Sequence, residues 1–213
     1  MDELEFLKQD WKRQEADLPK VNIESIYKMI HKRSSSIMKW ILYISIIEFL
    51  FWTVINAFTI NTKSLNSLKE LHLYEFEIIA TLVHYCILIY FIYIFYKNYK
   101  EVQTTENTSK LMKRILKVRK TVNYYVIYNL VMAFVIGVIV FVASAIYSPK
   151  IQEIYVQGED GTQTLPLSFI LTFIGMFLLI IGLFWLFYKL LYGILLRRLY
   201  RNYKELNKLE LRN

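Results

Sequence analysis

Apolar residues in this chain are gathered into four long runs with charge-dense segments between them. From Trp40 to Ile60 there is no Lys or Arg and a single acid, Glu48; Ile78 to Tyr96, Val122 to Tyr147 and Leu167 to Tyr188 contain no Lys, Arg, Asp or Glu. At about 1.5 Å per residue, some 20 helical residues cross the roughly 30 Å hydrocarbon layer. The pattern therefore predicts an all-α integral membrane bundle over residues 38–193, with transmembrane helices at 40–60, 78–96, 122–147 and 167–188. An even number of spans brings both termini to one side. The first run does not read as a secretory signal: it follows a segment rich in both signs of charge, lacks a small-residue cleavage site and is too long.

The polar segments carry their own periodicity. In the head, residues 1–37, Ile23, Ile26, Tyr27 and Ile30 follow Asn22, an N-cap candidate, and Leu4, Leu7 and Trp11 form an earlier set, so one short amphipathic helix is expected on each side of Pro19. Residues 97–121 predict a helical hairpin: Thr104 to Thr108 is the turn, and Ser109 caps a return helix carrying Leu111, Met112, Ile115 and Val118. Leu191, Leu195 and Leu199 continue the fourth span into a basic helical tail, residues 194–213. These stripes either pack on one another, lie in the head-group layer or receive a soluble partner, for which Leu7, Trp11, Ile23, Ile26, Tyr27 and Ile30 are the candidates. Of the other two loops, Asn61 to Glu75 has Leu65, Leu68 and Leu71 at helical spacing, and Ser148 to Thr164 is turn-rich around Pro149, Gly158 and Gly161. Glu159 and Asp160 lack the alternating ligand spacing of a calcium loop.

Charge orients the bundle. Of the 26 Lys and Arg residues, 22 fall before Trp40, in the middle loop and in the tail. Positive charge stays cytoplasmic, which predicts a bacterial inner membrane protein with both termini and the middle loop inside. The net charge of +8 is then a topology signal with attraction for anionic lipid head groups, and requires no nucleic acid. Trp40, Tyr43, Tyr96, Tyr124, Tyr125, Tyr147, Tyr188 and Tyr192 read as interfacial belt residues. The single Cys86, inside an apolar run, reads as a small hydrophobe.

Within the spans, Glu48 stands out, because an acid at mid-membrane costs about 3 kcal/mol to insert and turns toward the bundle interior. It shares a stripe with Ser45, Trp52, Asn56 and Thr59, and equal depth nominates Tyr90, Tyr128 and Asn129 as its partners. Hydrocarbon favours the neutral acid, a clamp between helices; the alternative is a proton-coupled or ligand-binding role. His84, with Thr81 and Glu77 on its face, reads as a satisfied polar residue, and His31 and His72 lie in other environments, so no multi-histidine metal site is expected. Gly175 and Gly182 mark a packing seam or a dimer face. No phosphate-cradling loop, Ser-His-Asp set or Cys-x-x-Cys pair is present, and neither cofactor nor catalytic residue is expected.

The stretch Phe6 to Lys12, then Leu18-Pro19-Lys20, Ile26 to Ile37, Lys39-Trp40-Ile41 and Glu48 to Trp52, resembles a family of uncharacterised four-span proteins of flavobacteria and their relatives. The resemblance implies a four-helix membrane fold and, through the label its members often bear, beta-carotene 15,15'-monooxygenase activity. Such oxygenases hold iron with several histidines, a set that three scattered histidines do not supply. The head with Leu7 and Trp11 also looks like the heads of membrane-bound anti-sigma factors. The favoured expectation is a non-enzymatic membrane protein whose head binds a protein partner in signalling. A small proton-coupled transporter using Glu48 is the rival, a carotenoid oxygenase comes third, and self-association is a further partner class.

Overall fold

The computed structural model describes residue 5 and residues 23–105, 107–157 and 163–210. Among the described residues there are six helices: α1 Ile23–Thr59, α2 Thr62–Glu70, α3 Tyr74–Gln103, α4 Thr108–Tyr147, α5 Pro149–Gln152 and α6 Leu167–Glu210. A two-residue hairpin joins α5 to α6, with β1 Val156–Gln157 antiparallel to β2 Gln163–Thr164. Helices α1, α3, α4 and α6 are long and apolar enough to cross a membrane, so the all-α fold is that of a multi-pass membrane protein. Leu4, Leu7, Trp11, Gly158, Glu159, Asp160 and Gly161, and the side chain of Ile23, lie outside the described residues.

From Ile23 the described part of the head and the first span are one uninterrupted helix, because nothing between Ile23 and Thr59 breaks it: neither Pro nor Gly occurs there. At 37, 30, 40 and 44 residues, the long helices reach about 45 to 66 Å and outrun the hydrocarbon layer. They do so at the end holding the charged segments, termed the basic end; α2, α5 and the hairpin close the distal end. At the basic-end turn the cap is Asn107 rather than Ser109: its Oδ1 accepts from the backbone N–H groups of Ser109 at 2.9 Å and Lys110 at 3.2 Å. A carboxamide at the N-cap reaches two orphan donors, and Ser109 becomes the second helical residue. Distally, α2 is capped by Asn61 and ends with His72 at φ 55°, in the left-handed region normally left to glycine. That conformation lets Leu73 N–H bond back to Leu68 O at 2.9 Å, and the His72 ring meets Tyr147 edge-on at 4.8 Å.

Helix α1 packs against α3 and α6, and α4 packs against α6. The core is unevenly distributed along the bundle. Toward the basic end, Ile30, Ile41, Phe95, Val102, Leu111, Ile115, Val122, Leu199 and Leu206 are all buried, and Tyr27, Tyr99 and Leu195 pack around them. Toward the distal end Val54, Phe58, Ile79, Leu82, Val140, Leu171 and Leu179 face outward. The difference follows from the solvent: where helices stand in water each buried aliphatic side chain gains about 1.5–3 kcal/mol, whereas lipid tails are as apolar as leucine.

Polar ties lock the same end. Tyr27 donates to Thr105 O at 3.1 Å, His31 Nε2 lies 2.7 Å from Val102 O, Asn202 Nδ2 donates to a fully buried Ser34 Oγ at 3.1 Å, and Arg114 pairs with Glu101. This alters the reading of the head. Ile30 is buried, and Ile26 and Tyr27, half-buried, pack against the same core, so part of the apolar surface of these three partner-binding candidates is covered within the chain. The glycine seam also moves. A Cβ on Gly175 or Gly182 would meet nothing within 4 Å, whereas one on Gly137 would run into the Phe177 ring, so the small residue that admits a close neighbour stands in α4.

Candidate intramembrane binding site

Glu48 is held by α6. Tyr188 Oη donates to its Oε1 at 2.5 Å and Tyr192 Oη donates to its Oε2 at 3.1 Å, and the carboxyl is only 6% exposed. Residues four apart lie one above the other on a helix, so two tyrosines one turn apart can grip both oxygens of one acid. Tyr125 of α4 completes the cluster: its ring stands edge-on to Tyr188 and Tyr192, with centroids 6.4 and 5.8 Å away. Ser45, one turn back on α1, donates to Leu42 O at 2.8 Å.

The partners expected from depth are elsewhere. Tyr90 is turned outward and 61% exposed. Tyr128 shares a 3.0 Å hydrogen bond with His84 Nδ1, with the two rings stacked, and Asn129 Nδ2 donates to Tyr125 O at 2.8 Å. Asn56 donates to Tyr85 Oη at 3.2 Å in an exposed position, and Trp52 leans on Phe184 at 5.9 Å. The stripe on α1 therefore serves separate neighbours, because depth fixes height along the bundle and leaves helix rotation open. Of the residues read as an interfacial belt, Trp40, Tyr43, Tyr96, Tyr124 and Tyr147 are exposed, whereas Tyr125, Tyr188 and Tyr192 are buried inside the bundle. Their chemical signal was available in the sequence: two phenols at four-residue spacing opposite a lone acid.

Directly beside this clamp lies a cavity of about 180 Å³ lined by Trp52, His84, Asn129, Leu130, Met132, Ala133, Ile136, Phe184 and Tyr188. All four spanning helices contribute. Tyr188 belongs to both features, one face on the cavity and its hydroxyl on Glu48. Three polar groups of the lining have no protein partner among the described residues: the Trp52 indole N–H, His84 Nε2 and Asn129 Oδ1. A mostly apolar concavity with a few polar groups free to orient an occupant is the ordinary form of a small-molecule site. His31 and His72 stand far from it, one on Val102 O and one against Tyr147. No three His, Cys, Asp or Glu side chains gather at one place among the described residues.

A family model described as Domain of unknown function (DUF8845) matches residues 24–211, which take in every spanning helix and both cavity and clamp. Neither a curated protein nor a solved structure matches the chain.

Proposed function

We propose that this chain, which belongs to the DUF8845 family, is a non-enzymatic inner-membrane protein that holds a small molecule between its four spans, both termini lying in the cytoplasm. The observation that carries the reading is the cavity: four helices converge on one apolar concavity and leave three hydrogen-bonding groups unspent. The orientation is supported by the sequence, in which 22 of the 26 Lys and Arg precede Trp40, lie within residues 97–121 or follow residue 193. Lys39 over Tyr43, Lys120 over Tyr124 and Lys189 over Trp185 place cations beside belt aromatics, an arrangement suited to anionic lipid head groups.

A link to signalling runs along α6. Tyr188 faces the cavity, Tyr192 shares its acid, and the same helix continues to Leu199, to Asn202 on Ser34 and to Leu206 in the packed cytoplasmic stem. Occupancy of the cavity would act on the stem through that helix. A cytoplasmic protein partner would then be met by the segment ahead of Ile23, where Leu7 and Trp11 stand, because the stripe of Ile26, Tyr27 and Ile30 is partly covered within the chain. The carrier reading needs the Glu48 carboxyl to face the cavity; instead both oxygens are engaged by tyrosines.

The test is recovery of the occupant. Full-length protein purified in mild detergent from its native membrane is expected to release, on solvent extraction, a small molecule at about one per chain, and Ala133→Phe, which fills the cavity, to release none. Equal recovery from the two proteins would place the molecule elsewhere and end this reading.

A further inference from the structure

We infer that the cavity receives the ring of a neutral, lipid-soluble quinone or quinol, an inference that rests on the cavity being a ligand site. Charge decides first. The lining contains no Asp, Glu, Lys or Arg, and the one acid nearby, Glu48, is sealed behind tyrosine hydroxyls. A charged guest would enter hydrocarbon depth with no counter-ion, so the occupant is neutral.

Size decides next. A cavity of about 150 Å³ holds a benzene molecule, so about 180 Å³ holds one substituted ring and leaves a long chain outside, among the lipid tails. The walls suit a planar guest, since Trp52, Phe184 and Tyr188 present aromatic surfaces.

Polarity excludes a plain hydrocarbon. The Trp52 N–H can only donate, Asn129 Oδ1 can only accept, and His84 Nε2 donates when Nδ1 accepts from the Tyr128 hydroxyl and accepts when Nδ1 donates to it. A ring bearing oxygens on opposite edges meets this set: its carbonyls accept from Trp52 and His84, and in the reduced form a hydroxyl donates to Asn129. A polyene or alkylbenzene would bury the three groups unpaired, which costs affinity at each. The depth of the site, within the apolar runs, selects a guest that partitions into the bilayer.

The test titrates the full chain in detergent micelles with three probes sharing one tail: decyl-benzoquinone, decylbenzene and decylpyridinium. The quinone is expected to bind saturably at one per chain, decylbenzene about tenfold or more weaker, and the cation weaker still. Trp52→Phe keeps the wall and removes the donor, so quinone affinity should fall roughly three- to tenfold while decylbenzene is unchanged. Ala133→Phe should abolish quinone binding; Ile136→Trp fills the same space should Ala133→Phe not yield folded protein by size-exclusion chromatography. Tighter binding of decylpyridinium or decylbenzene than of the quinone, lost on filling the cavity, overturns the ligand class and leaves the ligand site standing. Binding of all three probes unaffected by both filling variants, or no binding by any, overturns the site as well.

Discussion

Replacing Glu48 tests whether the acid is a clamp. Its two oxygens each accept one buried tyrosine hydroxyl, at 2.5 and 3.1 Å, and Tyr188 and Tyr192 are nearly inaccessible. Glu48→Leu keeps much of the volume and removes both acceptors. Hydrogen bonds between membrane helices are worth about 0.6 kcal/mol on average and about 1.7 at most, so losing two should cost roughly 1–3 kcal/mol. Glu48→Gln keeps one acceptor and puts an amide donor where the other oxygen was; a tyrosine hydroxyl can rotate to accept from it, and the cost should stay under about 1 kcal/mol. The assay is equilibrium unfolding in mixed micelles, run as a double-mutant cycle with Tyr188→Phe. In wild-type background Tyr188→Phe should destabilise, whereas after Glu48→Leu it should cost almost nothing, giving a coupling of about 0.5–1.5 kcal/mol. Zero coupling, or a Glu48→Leu protein as stable as wild type, would refute the clamp. Equal damage from Gln and Leu would instead show that the acid itself, and not its hydrogen bonding, is required.

Other parts of the structure make independent predictions. Gly137→Ala pushes a methyl into the Phe177 ring and should cost about 1 kcal/mol by thermal unfolding, recovered in the Gly137→Ala, Phe177→Leu pair; Gly175→Ala and Gly182→Ala face open space and should be silent within about 0.5 kcal/mol. Ser34→Ala leaves the Asn202 amide buried without its acceptor and should destabilise the stem by about 1–3 kcal/mol, seen as faster proteolysis between residues 97 and 121; Asn202→Leu added to it should restore resistance. Reporters fused after Arg33, in the 104–108 turn and after Arg212 should be cytoplasmic, and fusions within 61–70 or 157–164 external; an external middle turn would contradict the four-span orientation.

The spans were legible because an unbroken apolar run with charge at both ends has one physical outcome in a bilayer, and α1, α3, α4 and α6 contain all four. Glu48 was legible for the same reason inverted, as the lone acid within a run. Its partners were not. In a span apolar on every side, periodicity does not say which face turns inward, so Tyr90 qualifies by depth and only packing turns it outward. Tyr188 and Tyr192 were further masked by their nearness to the basic end, where aromatic residues ordinarily sit as anchors. The cavity had no signature of its own, since Ala133 and Phe184 are ordinary residues of an apolar helix until four helices bring them together. The amphipathic stripe of Ile26, Tyr27 and Ile30 states only that something must cover it, and helices of the same chain cover part of it.

Of the stem's polar ties described above, the one that spans the most sequence joins Ser34 to Asn202, residues 168 positions apart. During synthesis at roughly 5–20 residues per second, α1 waits on the order of ten seconds or more for that partner. Over this interval Met38, Ile41 and Glu48 have left the ribosome while Tyr188, Leu199 and Leu206 do not yet exist as chain. Pairing of α1 with α3 can begin meanwhile, but the acid remains without its phenols until the last helix inserts. The order of translation thus makes the half-built protein the state most exposed to quality control, and loss of the final turns of α6 should send the nascent chain to degradation although every span is present.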